Sequence, residues 1–152
     1  MPTYRETRVL PYPADRLFDL IADVERYPEF LPWWHSARVR RRDGNTEYVD
    51  QVVGPAIARF RFASKTVLER PDRIKTTSTQ RPFRRLEIHW TFAPAAQGGC
   101  SATFAVDYEL RSGTLQRLVG VIFDAAVRHV VSAFELRARQ LLGEPAQRRA
   151  PA

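Results

Sequence analysis

Apolar positions along the chain change period twice, and each change marks a different element. TYRETRVL, residues 3–10, predicts a first strand of mixed facing that Pro11 and Pro13 end. From Ala14 onward Leu17, Phe18, Ile21, Ala22 and Val24 recur at helical spacing. That pattern predicts an amphipathic helix of about three turns, with Asp15 in its acid-favouring first turn. YPEFLPWW, residues 27–34, follows and holds four aromatic residues and two prolines. Pro28 suits the first position of a single helical turn and Pro32 obstructs its continuation. The segment therefore reads as a short bridge from helix to sheet, with Phe30 and Leu31 turned inward.

Period two then takes over. SARVRRRD, EYVDQVVG, ARFRFASKTVLER, IKTTSTQ, RLEIHWTFAP and SATFAVDYEL alternate or are rich in β-branched and aromatic residues, and DGN, GP, RPD and AAQGG separate them. In RLEIHWTF, Leu86, Ile88, Trp90 and Phe92 face one way while Arg85, Glu87, His89 and Thr91 face the other. The same count groups Ala102, Phe104, Val106, Tyr108 and Leu110, and sets Phe60 and Phe62 opposite Arg59 and Arg61. One face is thus greasy and aromatic, the other charged. Residues 112–142 return to helical spacing at Leu115, Leu118, Val119, Ile122, Ala126, Val130, Ala133, Phe134 and Leu141. Ser112 is placed as N-cap and Gly143 as stop, giving a helix roughly 45 Å long. The tail EPAQRRAPA, residues 144–152, has a disordered composition.

The order predicts one α+β domain over residues 1–143: a strand, short helical segments, about six antiparallel strands as a meander, and a long C-terminal helix. About seven twisted strands curl, so the greasy concave face and the apolar helix stripe should cover each other. A curled sheet cannot follow a straight helix throughout, and the mismatch predicts a cavity suited to an apolar ligand.

Composition narrows the setting. A chain of 152 residues with 44% hydrophobic positions is large enough for a real core. Its single cysteine, Cys100 in the turn-like GGCS, cannot make an internal disulfide, which points to a reducing compartment. No secretion signal or membrane span is read, so a cytoplasmic location is expected, with peripheral contact at the inner membrane. Twenty-four Lys plus Arg against 17 Asp plus Glu give a net charge of +7, which favours an anionic partner.

LFDLIADVERYPEFLPWW, RPFRRLEIHWTF and VVSAFELRARQLLG, in that order, resemble the coenzyme Q-binding protein family of the START-like, helix-grip superfamily. That family is also catalogued under polyketide cyclase/dehydrase-like and lipid-transport names and includes bacterial ribosome association toxins. The resemblance covers about Tyr4 to Gly143. It implies a curled seven-stranded antiparallel sheet wrapped around the C-terminal helix, with two short helices after the first strand. It also implies a hydrophobic tunnel that binds ubiquinone or a similar prenyl lipid, as a respiratory lipid chaperone without turnover. Three positions depart from the family: Trp34, often cysteine in relatives, and Arg81 and His89, where glycine is common.

The candidate ligand wall comprises Phe30, Leu31, Trp33, Trp34, Phe60, Phe62, Trp90, Phe92, Phe104, Tyr108, Val119, Ile122 and Phe123. The aromatic rings among them suit stacking and edge contacts on a flat ligand; taken singly, each is more often ordinary core, and the reading rests on the set as a whole. Trp33 and Trp34 read as cavity lip, membrane anchor or packed corner. Arg38, Arg40 and Arg42, read as one strand face, join Arg84 and Arg85 as a surface for anionic phospholipid or ribosomal RNA; a solvated edge-protecting face is the plainer reading. DNA is not expected. His35, His89 and His129 lack metal-ligand spacing, and no catalytic motif appears. Asp15, Asp19 and Asp23 read as solvated, and Asp107 and Glu109 as outward-facing. No catalytic residue, metal or cofactor is therefore assigned, and the chain is expected not to be an enzyme. The leading expectation is a carrier of prenyl quinone, the next a ribosome-directed protein, the last an aromatase/cyclase-type enzyme.

Overall fold

Unbroken alternation is the strongest local signal in the chain, and it forms strands wherever it occurs. The computed structural model describes residues 3–57 and 59–143. In chain order these form β1 (Thr3–Leu10), α1 (Ala14–Ala22), a 3-10 segment (Val24–Glu29), β2 (Trp34–Asp43), β3 (Thr46–Val53), β4 (Phe60–Glu69), β5 (Arg73–Ser78), β6 (Phe83–Pro94), β7 (Cys100–Leu110) and α2 (Gly113–Leu142). The tail expected to be disordered, residues 144–152, lies outside the described residues.

The seven strands form one antiparallel sheet in the order β1-β7-β6-β5-β4-β3-β2. Short turns make β2 to β7 a meander. The first strand leaves this pattern: α1 and the 3-10 segment carry the chain away from it, and β1 pairs with β7, from Thr3 opposite Asp107 to Leu10 opposite Cys100. The architecture is the START-like helix-grip fold.

Alternation sets the inner face. Every even-numbered side chain of β7 is buried, and Leu86, Trp90 and Phe92 of β6 join them. Cys100, read from sequence as part of a turn, instead opens β7 with no exposure. Two local predictions shift by a few residues. The first helix ends at Ala22, leaving Val24 to the 3-10 segment, and Pro28 lies inside that segment rather than at its start.

Ser112 caps α2 as predicted, its hydroxyl accepting from the Leu115 amide at 3.2 Å. Gly143 ends it at φ 86°, a left-handed backbone that glycine adopts without a Cβ clash. As expected of a straight helix on a curled sheet, the cover is partial: the buried side chains of α2, Val127, Val131, Phe134 and Ala138, all lie in its second half. Phe134 is the keystone: its ring lies 5.3 Å from each of Trp90, Tyr27 and Phe30 in edge-on contacts. Farther back the sheet curls away from the straight helix, and Leu118, Val121 and Ile122 remain exposed. Among the described residues no helix is long and apolar enough to cross a membrane.

Phe134→Ala should therefore lower stability by about 3–5 kcal/mol. Leu136→Ala, on the exposed side of the same helix, should change it by less than about 0.5 kcal/mol; urea unfolding midpoints of the two variants check this contrast.

Candidate ligand-binding cavity

The inner face is not uniformly greasy. The cross-strand register sets Glu47 beside Thr66, Thr66 beside Thr76, and Thr76 beside Ile88. A polar row thus crosses β3 to β5 and becomes apolar at β6. Gln51 and Ser64 lie on the same face, both buried, as is Glu47. Opposite them stand Trp90, Phe104, Tyr27 and Phe134. Between the two walls, closed by Leu31 and Trp34 at the corner from the 3-10 segment, is a cavity of about 80 Å³.

Its polar wall is internally bonded. Trp34 Nε1 donates to Gln51 Oε1 at 2.8 Å, and Gln51 Nε2 donates to Ser64 Oγ at 3.1 Å. Thr66 and Thr76 share a hydrogen bond of 2.9 Å, and Arg42 Nε donates to Glu47 at 2.9 Å. Burial pushes the Tyr27 phenol up, so it stays a neutral donor to the Ile21 carbonyl. Two further polar atoms are buried with no hydrogen-bond partner among the described residues: the Tyr108 hydroxyl and Gln116 Nε2. Tyr108 packs against Phe123 of the less buried half of α2, with ring centroids 4.4 Å apart.

Of the residues singled out in the sequence, Leu31, Trp34, Phe62, Trp90 and Phe104 line this cavity. Phe92 backs Trp90 in a parallel stack at 6.1 Å. Phe30 sits behind the wall, wedged on Phe134 with the Arg137 guanidinium 4.9 Å from its ring. Trp33 points away, 41% exposed. Phe60 lines a separate open cleft with Arg61, Arg81, Pro82, Arg111 and Leu115. Between cleft and cavity stand three rings, Phe83 lying 6.0 Å from Phe60 and 5.2 Å from Phe62. Val119 and Phe123, half-buried on α2, and Ile122, 62% exposed, all lie outside this lining. Glu47, Gln51, Thr66 and Thr76 were missed because both phases of EYVDQVV mix polar with apolar residues. The tight turn at Gly44 and Asn45, which pairs Arg42 with Glu47, was the usable signal.

The arginine surface also differs from expectation. A register shift between Val39 and Arg41 breaks the alternation of β2, so Arg38, Arg40 and Arg42 do not share one face. Arg41 lies 4.4 Å from the Tyr48 ring on the outer side, while Arg42 turns to Glu47. Arg40 pairs with Asp50 at 3.3 Å, Arg84 with Glu109 at 3.3 Å and Arg85 with Asp107 at 2.8 Å. Most of this charge is already met within the fold.

A charged cluster missing from the sequence reading closes the β1 side. Arg8 donates to Glu6 of its own strand and, at 2.8 Å, to Glu135 of α2. Burial alone would raise the Glu6 carboxyl, but hydrogen bonds from Tyr4 and Arg8 and the Arg8 charge outweigh it and hold it below its ordinary value. Arg8 thus tethers the anchored half of α2 to β1.

A long helix gripped by a curled seven-stranded sheet around an enclosed cavity defines a START-like protein. The chain belongs to the polyketide cyclase/dehydrase and lipid transport family, which it matches over residues 10–135. It is 32% identical over 139 residues to the ribosome association toxin RatA of Pseudomonas aeruginosa, covering 91% of this chain and 96% of that one. It is 29% identical over 144 residues to the mitochondrial coenzyme Q-binding protein COQ10 homolog B of Xenopus laevis, covering 92% of this chain and 59% of that one. The solution structure of an 18 kDa protein from Caulobacter crescentus aligns at a TM-score of 0.74 and 32% identity, covering 95% of this chain and 100% of that one.

A depressed folded-state pKa gives stability that is present above the unfolded value and lost as pH falls through the folded one. For Glu6 that loss begins near 4.5 and continues below it. Arg8→Met removes the Arg8 share of that lowering and leaves the Tyr4 hydrogen bond, so its stability deficit against the parent should shrink as pH drops from about 6 to about 3; a deficit constant across that range in urea titrations would contradict the tether.

Proposed function

We propose that the chain holds a ring-bearing hydrophobic molecule, a prenyl quinone or similar lipid, in this cavity as a respiratory carrier that does not transform it. The observation behind this reading is the division of the cavity wall. Trp90, Phe104 and Phe134 offer flat apolar contact, and Gln51, Thr66 and Thr76 offer hydrogen bonds from the other side. A quinone head, apolar in its faces and accepting at its carbonyl oxygens, matches both walls.

At about 80 Å³ the cavity is smaller than the roughly 300 Å³ at which ligand pockets commonly begin. Admission of a ligand therefore requires movement, and the first half of α2, with less burial beneath it, is the element that would move. A carrier role is supported over turnover by the bonding of the polar wall: the buried carboxylate Glu47 is paired with Arg42, and Gln51, Ser64, Thr66 and Thr76 bond to one another or to Trp34.

The second reading is a ribosome-directed role. It is favoured by the name of the Pseudomonas relative, matched along nearly its whole length, and by the excess of 24 basic over 17 acidic residues. The two readings separate experimentally. Organic extraction of protein purified from a quinone-producing host should release about one prenyl quinone per chain, detected by mass spectrometry. Gln51→Leu, which unpairs Trp34 Nε1 and removes one of the two Ser64 hydrogen bonds, should lower that occupancy and cost about 1–3 kcal/mol of stability. A cavity empty of quinone and lipid would reject the carrier reading. Sedimentation profiles with added protein test the other, and unaltered joining of ribosomal subunits would remove it.

A further inference from the structure

We infer that the end of the molecule around the open cleft and the N-terminal half of α2 is a docking surface for an anionic lipid bilayer. This goes beyond the carrier reading, because it assigns a partner to a surface that the cavity does not use.

Exposed apolar side chains are ordinary when scattered and informative when grouped. Here Ile57 is 97% exposed in the β3–β4 loop, and Val121, Leu118 and Ile122 are 84%, 63% and 62% exposed on α2. Leu115, one helical turn before Leu118, lines the cleft itself. The three chain segments that meet at the cleft are tied together. The Arg111 amide donates to the Pro82 carbonyl, its guanidinium donates to the carbonyls of Thr79 and Phe83, and the Phe60 ring lies against Phe83.

Charge selects the partner. Residues 54–61, 79–84 and 111–123 together contain six arginines and no aspartate or glutamate. Arg84 pairs with Glu109, whereas Arg59, Arg61, Arg81, Arg111 and Arg117 form no ion pair with a carboxylate among the described residues. Aliphatic side chains projecting from an arginine field suit an interface where the chains enter the acyl boundary and the guanidinium groups meet headgroup phosphates. RNA is the poorer fit, since the projecting residues Ile57, Leu118, Val121 and Ile122 are aliphatic and offer no platform for base stacking. The Phe60, Phe62 and Phe83 rings stand between this cleft and the cavity, so a bilayer bound here faces one wall of it.

The test is co-sedimentation of the full chain with vesicles of mixed phosphatidylglycerol and phosphatidylcholine, and with phosphatidylcholine alone. Neither contains quinone, so an empty cavity and a failure to dock are read separately. The chain should bind the anionic vesicles and less so as salt rises. Arg61→Glu with Arg81→Glu should weaken partitioning about tenfold or more, and Leu118→Asp with Val121→Asp should do the same. Arg38→Glu with Arg40→Glu, on the outer face of β2, should stay within about twofold of the parent. All six residues are exposed, and circular dichroism confirms folding of each variant. Absence of binding to anionic vesicles overturns the inference, as does equal loss in all three variants, or parent-like vesicle binding by the Leu118→Asp, Val121→Asp protein.

Discussion

A straight helix can touch a curled sheet over only part of its length, and the position of that contact governs the rest of this molecule. Here it falls on the second half of α2, where Phe134 meets Trp90, Tyr27 and Phe30 at once and Val127, Val131 and Ala138 complete the buried side. Arg8 reinforces the same half by joining Glu6 on β1 to Glu135 on α2. The first half is carried forward by helical hydrogen bonding and by its Ser112 cap, with less burial beneath it. Cavity, cleft and exposed aliphatic stripe are three consequences of this one-sided anchoring.

The interior has a second asymmetry. β6 and β7 turn aromatic and aliphatic side chains inward, whereas β3 to β5 present Glu47, Gln51, Ser64, Thr66 and Thr76. Burying such groups is costly unless they are bonded, and the contacts Trp34–Gln51–Ser64, Thr66–Thr76 and Arg42–Glu47 meet that cost. The result is a cavity with chemically distinct walls, suited to an amphipathic head rather than to a plain hydrocarbon. Membership of a family described by both cyclase and lipid-transport functions fits a fold that supplies the cavity while the lining sets the chemistry.

The charge of the chain is likewise distributed by the fold. Arg40, Arg42, Arg84 and Arg85 each meet a carboxylate, and Arg59, Arg61, Arg81, Arg111 and Arg117 meet none among the described residues. A net charge of +7 is therefore expressed unevenly, and part of its unmet charge lies in the cleft segments that also carry Ile57, Leu118, Val121 and Ile122.

Much of the architecture was legible in local pattern. The alternation of RLEIHWTF and SATFAVDYEL identified β6, β7 and their inward residues, because an uninterrupted period of two allows only one assignment of faces. Ser112 and Gly143 marked the ends of α2 for reasons confined to the backbone nearby. The segment YPEFLPWW was legible as a bridge, with Leu31 buried and Trp34 on the cavity, yet Trp33 turned outward and Phe30 passed behind the wall. What local pattern could not supply was phase across irregularities and distance across the fold. The register shift in β2 reassigned its arginines, and the hairpin to β3 turned Glu47 and Gln51 inward. The sequence by itself determined the elements, their order and the amphipathic character of each, because those follow from spacing along the chain. Only the tertiary structure decided which half of α2 is covered, which polar residues share the cavity and which arginines stay unpaired. Those depend on sheet curvature and on contacts between residues far apart in sequence.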